Sequence, residues 1–86
     1  MSSGLQFDAE TSRALDLQYT RPQMVLRRAA ALRHANPLLG EDIVDIGSGP
    51  GFLTRDLAAG AGETGSVLGL DSSESMLAIG RARCDA

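Results

Sequence analysis

The chain has one cysteine, no lysine and no long uninterrupted run of apolar residues. With Cys84 alone, neither an internal disulfide nor a cysteine-based zinc site can be built. Uncharged stretches such as 29–32 and 65–70 fall far short of the ~18 apolar residues that a membrane-spanning helix needs, so no membrane span is expected. Residues 1–10 lack the basic start and apolar core of a signal peptide, which makes a cytoplasmic location the default expectation. There is no internal repeat and no low-complexity block. What remains is ordinary globular composition: 86 residues, 43% hydrophobic, with a net charge of -3.

Charge is unevenly spread. Residues 1–36 hold five arginines against three acids, whereas from Pro37 onward eight acids face three arginines. Nucleic-acid affinity rests on basic stripes that neutralise phosphates, so the acidic second part argues against a nucleic-acid partner. Arg27, Arg28 and Arg33 read as a solvated helix face, and His34 as a cation near a helix C-terminus.

Turn residues divide the chain into a helical entry, 1–36, and a βαβα run, 37–86. Pro22 suits the first turn of a helix, and Val25, Ala29 and Leu32 then recur at helical spacing until Asn36-Pro37 ends it. Ala14, Leu15, Leu17 and Tyr19 indicate a shorter helical segment or turn upstream. Ile43, Val44 and Ile46 predict a strand over 42–46 that is buried on both faces, as in a parallel sheet. A glycine loop, 47–51, leads to a crossover helix over about 52–59 with Gly60 as its stop. Gly60, Gly62 and Gly65 then connect to a second strand over 66–70. Ser72 or Ser73 caps a last helix holding Met76, Leu77 and Ile79, and the unit is complete by Arg83.

The loop carries the chemistry. Gly47, Gly49 and Gly51 alternate directly between a strand and a helix, the place where open α/β sheets bind ligands. Glycine lets the chain turn sharply and lets a ligand lie against the backbone, with Gly47 and Gly49 expected to line it. The dinucleotide fingerprint requires a third glycine at the sixth position, and Phe52 stands there instead. Pro50 also removes an N–H that a pyrophosphate cradle would use. A ligand without phosphate fits better than a nicotinamide dinucleotide.

Asp45-Ile46-Gly47-Ser48-Gly49-Pro50-Gly51 resembles the first motif of class I S-adenosylmethionine-dependent methyltransferases: an acid, a hydrophobic residue, then G-x-G-x-G. The resemblance implies a Rossmann-like α/β fold that binds S-adenosyl-L-methionine, with Ser48 and the three glycines at the methionyl part and Asp45 close by. Leu68-Gly69-Leu70-Asp71 supplies the family's second marker, an acid at the end of the next strand that binds the ribose hydroxyls. A carboxylate suits a vicinal diol because it accepts two charge-assisted hydrogen bonds. The stretch from Asp71 to Leu77 is similar to the D-x-S-x-x-M-L pattern of small-molecule members, including ubiquinone, menaquinone and arsenite methyltransferase relatives, and implies adenine contacts from Ser72 and Met76. Tyr19-Thr20-Arg21-Pro22 loosely resembles an N-terminal segment that covers the cofactor in such relatives, which implies that Tyr19 and Arg21 approach its carboxylate. Two of these residues have plainer readings as well: Asp71 as a helix cap and Met76 as core packing.

No acid–base set is visible, and a methyltransferase that holds its reactants in line need not have one. The acceptor is expected to be a small molecule, with catalytic residues unassigned. Two parallel strands cannot cover both faces of a sheet, so the chain is expected to be the cofactor-binding part of a larger domain. The alternatives are a binding-only or inactive piece that needs its missing half, and a dinucleotide-dependent oxidoreductase.

Overall fold

A computed structural model describes residues 8–85. The elements run α1 (Ala9–Gln18), α2 (Pro22–Ala35), β1 (Asp42–Ile46), α3 (Phe52–Ala61), β2 (Ser66–Leu70) and α4 (Glu74–Asp85). β1 and β2 pair in parallel, in the register Asp42 to Ser66 through Ile46 to Leu70. This is an α/β arrangement in which α3 makes the crossover.

Local chemistry explains the boundaries. Asp8 caps α1, its side chain accepting from the Thr11 N–H at 2.6 Å. That bond holds the Asp8 carboxyl below its usual 3.8. Because the folded value lies below the unfolded one, the cap contributes fully above about pH 3.8 and is lost as pH falls through the lowered folded value. Nuclear magnetic resonance shifts over 9–18 are therefore expected to lose helical character on acidification below that point, before those of α3 do.

Pro22 stands in the first turn of α2, where its missing N–H leaves no bond unmade. At the other end Asn36 takes a left-handed conformation, φ 45°, ahead of Pro37. α3 runs two residues past the expected stop, because Gly60 lies within it and Gly62, at φ 70°, closes it. Gly60 serves packing instead: a Cβ there would run into the ring of Pro37.

The core is small and lies between α3, β2 and α4, with Leu57, Ala61 and Met76 buried. Only one face of the sheet is covered. Ile43, Asp45 and Val67 are half-buried towards α3, while Val44, Leu68, Leu70 and Ile46 are exposed, the last by 83%. The expectation of a strand buried on both faces is corrected accordingly. The residues are apolar as a buried strand requires, but α3 is the helix that packs on the sheet and it covers one side. No helix among the described residues is long and apolar enough to cross a membrane.

Candidate functional site

The chain leaves β1 at Ile46 and turns through 47–51, where Gly47, Gly49 and Gly51 all have positive φ (72°, 54° and 84°). Other residue types rarely adopt this region. The N–H groups of Gly47 and Ser48 both donate to the Leu70 carbonyl, at 2.7 and 2.9 Å, which fastens the loop to the end of β2. Asp71 tightens the join. Its Oδ2 accepts from the Gly49 N–H and its Oδ1 from the Ser73 N–H, each at 2.9 Å.

The helix cap itself falls to Ser73, which is buried and whose Oγ accepts from the Met76 N–H at 3.3 Å. Asp71 makes an Asx-type turn two residues ahead of it. An ionised carboxylate offers about four lone-pair sites, so two remain on Asp71 for a further partner.

Two open cavities meet at Gly47. One, of about 210 Å³, lies between the entry helices and the loop and is lined by Tyr19, Met24, Arg27, Arg28, Asp45, Gly47, Ser48, Phe52 and Leu53. The other, of about 420 Å³, opens at the strand ends between Ile46, Gly47, Gly69, Leu70, Asp71, Ser72 and Leu77. A Cβ on Gly47 would meet nothing within 4 Å, so this glycine, which lines both cavities, borders open space.

The remaining expected site residues separate by role. Asp45 lines the first cavity, and its Oδ2 accepts from the buried Thr54 hydroxyl at 2.7 Å. Thr54→Val keeps the volume and removes this donor. It is expected to cost about 1–2 kcal/mol in thermal unfolding and to loosen the Asp45 carboxylate, visible as line broadening around residue 45.

Ser48 packs over Gly69, where a Cβ would come within 3.0 Å of its Oγ. Gly49 is buried beneath Tyr19, whose hydroxyl would stand 3.4 Å from a Cβ at that position. Gly51 faces α4, where a Cβ would lie 2.7 Å from the Gly80 Cα. Met76 is 4% exposed and lines neither cavity, which is the core-packing reading; Leu77 takes the cavity wall. Arg21, expected beside Tyr19, is exposed at the start of α2 and lines neither cavity, whereas Arg27 on the next turns of α2 lines the first.

Three participants were not legible as such. Phe52, noted only for what it excludes, is stacked on Tyr19 with ring centroids 6.2 Å apart. The guanidinium groups of Arg28 and Arg83 lie 4.5 and 3.6 Å from its centroid. Arg28, expected in a solvated face, instead donates to the Tyr19 carbonyl at 3.1 Å and stands 4.0 Å from Asp56. Arg83 forks onto Asp16 with bonds of 2.9 and 3.2 Å.

A strand, a positive-φ glycine loop and a strand-end acid are thus brought together, and sequence comparison names the family in which this chain falls. The family described as "Methyltransferase domain" matches residues 43–86, just over half of the chain. The chain is 45% identical over 56 residues to a ubiquinone/menaquinone biosynthesis C-methyltransferase of Burkholderia vietnamiensis, covering 65% of this chain and 23% of that relative. It is 41% identical over 58 residues to a demethylmenaquinone methyltransferase of Lactococcus lactis, covering 67% of this chain and again 23% of the relative. No solved structure gives a significant match. This chain belongs to the class I S-adenosylmethionine-dependent methyltransferase family. It spans about a quarter of the length of these curated relatives.

Proposed function

We propose that the chain forms the cofactor-binding half of a methyltransferase that transfers a methyl group from S-adenosylmethionine to a small-molecule acceptor. The observation that carries this reading is the position of Asp71, with two lone-pair sites left over, across an open strand-end cavity from Gly47. The residues fit the group. Asp71 would hold the ribose diol, with Ser72 and Leu77 beside the adenine. Gly47, which borders both cavities, would let the ligand pass close to the backbone. The methionyl end would then lie in the first cavity, where Asp45 suits its ammonium group and Arg27 and the Tyr19 hydroxyl suit its carboxylate. In this arrangement the entry helices are a lid.

When bound, S-adenosylmethionine supplies an electrophilic methyl group on a sulfonium. The chain's own contribution is to bind and orient that group. A small-molecule acceptor, of the kind named for the quinone-pathway relatives, follows from the likeness of the stretch after Asp71 to theirs. A second reading, a binding-only half that acts when its apolar sheet face is covered, is favoured by the exposure of Val44, Ile46, Leu68 and Leu70.

Calorimetric titration with S-adenosylhomocysteine, with NAD as control, tests the cofactor reading. Saturable binding of the first and none of the second is expected. A folded chain that prefers NAD would replace it with the oxidoreductase alternative, and one that binds neither would leave the site without a ligand.

A further inference from the structure

The side chain of Arg83 touches three parts of the molecule at once. It projects from the last turn of α4, whose Gly80 abuts the glycine loop. Nη1 and Nη2 fork onto the two carboxylate oxygens of Asp16 in α1, and Nη1 also donates to the carbonyl of Pro50 inside the loop. The guanidinium carbon lies over the Phe52 ring, 3.6 Å from its centroid. The pair is largely screened from water, at 17% and 25% side-chain exposure. A planar fork with several fixed donors can join a carboxylate and a carbonyl in one geometry, which a lysine ammonium cannot do.

We propose that Arg83 is a positioning residue that couples closure of the α1–α2 entry helices to the conformation of the cofactor loop. Asp16 is the lid's half of this latch, and Pro50 is the loop's. The proposal rests on the cofactor reading above only for what passes beneath the lid. Because the latch is made of protein atoms alone, it stabilises the closed arrangement equally with or without ligand. It therefore governs how fast a ligand enters and leaves more than how tightly it binds. Asp16→Asn weakens the lid contact and leaves the Arg83 bond to Pro50 in place, whereas Arg83→Met removes both.

Hydrogen exchange and stopped-flow binding of S-adenosylhomocysteine to the full 86-residue chain test this together. In Asp16→Asn the α1 amides are expected to exchange about tenfold faster while those of β1 and α3 keep their rates. Association and dissociation rates are expected to rise together, with Kd within about threefold of the unmodified chain. Arg83→Met should add faster exchange at Gly51, whose N–H belongs to the same peptide unit as the Pro50 carbonyl and donates to the Ser48 carbonyl. A merely structural salt bridge would move the unfolding temperature without this paired change in rates. Unchanged α1 exchange in Asp16→Asn, or α1 amides already unprotected in the unmodified chain, overturns the latch. So does a Kd that weakens with association unchanged. If the unmodified chain binds no S-adenosylhomocysteine, the cofactor reading fails, and the exchange measurements still decide the latch.

Discussion

Asp71→Asn is expected to weaken S-adenosylhomocysteine binding by about a hundredfold in calorimetry. Hydrogen bonds to a charged partner contribute roughly 1.5–3 kcal/mol each, and a ribose diol would use two of them. The substitution also reaches the loop. Both carboxylate oxygens already accept backbone N–H groups, one from Gly49 and one from Ser73. An asparagine has one carbonyl oxygen, so its NH₂ must face one of those two donors. The free protein should consequently lose about 1–2 kcal/mol of stability, read from denaturant unfolding, and its Gly49 or Ser73 amide should exchange faster. Unaltered affinity would move the ribose contact away from Asp71, while unaltered exchange would show that the loop is held by the Leu70 carbonyl alone.

Gly51→Ala is expected to be severely destabilising, because it combines an unfavourable backbone conformation with a clash against backbone. The φ of 84° costs an alanine roughly 1–2 kcal/mol. The added Cβ would sit 2.7 Å from the Gly80 Cα, and backbone cannot turn aside as a side-chain tip can. Overpacking of this kind costs roughly another 1–3 kcal/mol, so a fall of ~15 °C in the unfolding midpoint is expected. Gly80→Ala is the informative contrast. Its Cβ would stand 3.2 Å from the Gly49 carbonyl, a contact that a shift of a few tenths of an ångström relieves. Alanine also gains up to ~1 kcal/mol over glycine within a helix. A scan in which the two variants lose equal stability would place the strain elsewhere.

Much of the local structure was legible because the signals are local. Alternating glycines between Ile46 and Phe52, a proline at 22 and the Asn36-Pro37 stop fix β1, α2 and the loop within one or two residues, and both strands run over the residues expected. Gly60 misled because a glycine after a helical run is the common stop, whereas here it admits the ring of Pro37, 23 positions earlier in the chain. Sheet burial misled because apolar residues show that a face prefers cover, not that cover is supplied. The contacts that tie α1 to α4 were out of reach for a different reason. Arg83 and Asp16 are 67 positions apart, and no periodicity links one arginine among eight to one acid among eleven. Of the site itself, Asp71 and the glycines could be read as a ligand loop, but the division of labour among them could not. Gly47 borders open space, while Gly51 is spent on packing against α4.

Phe52 occupies the position at which a dinucleotide fold would need its third glycine, and the same ring is the surface on which Tyr19, Arg28 and Arg83 gather. Under the proposed cofactor reading, one side chain therefore bears on both ligand choice and the seating of the entry helices. A glycine at this position, as a pyrophosphate-binding loop would require, would take away the ring that Tyr19 stacks on and that both guanidinium groups face.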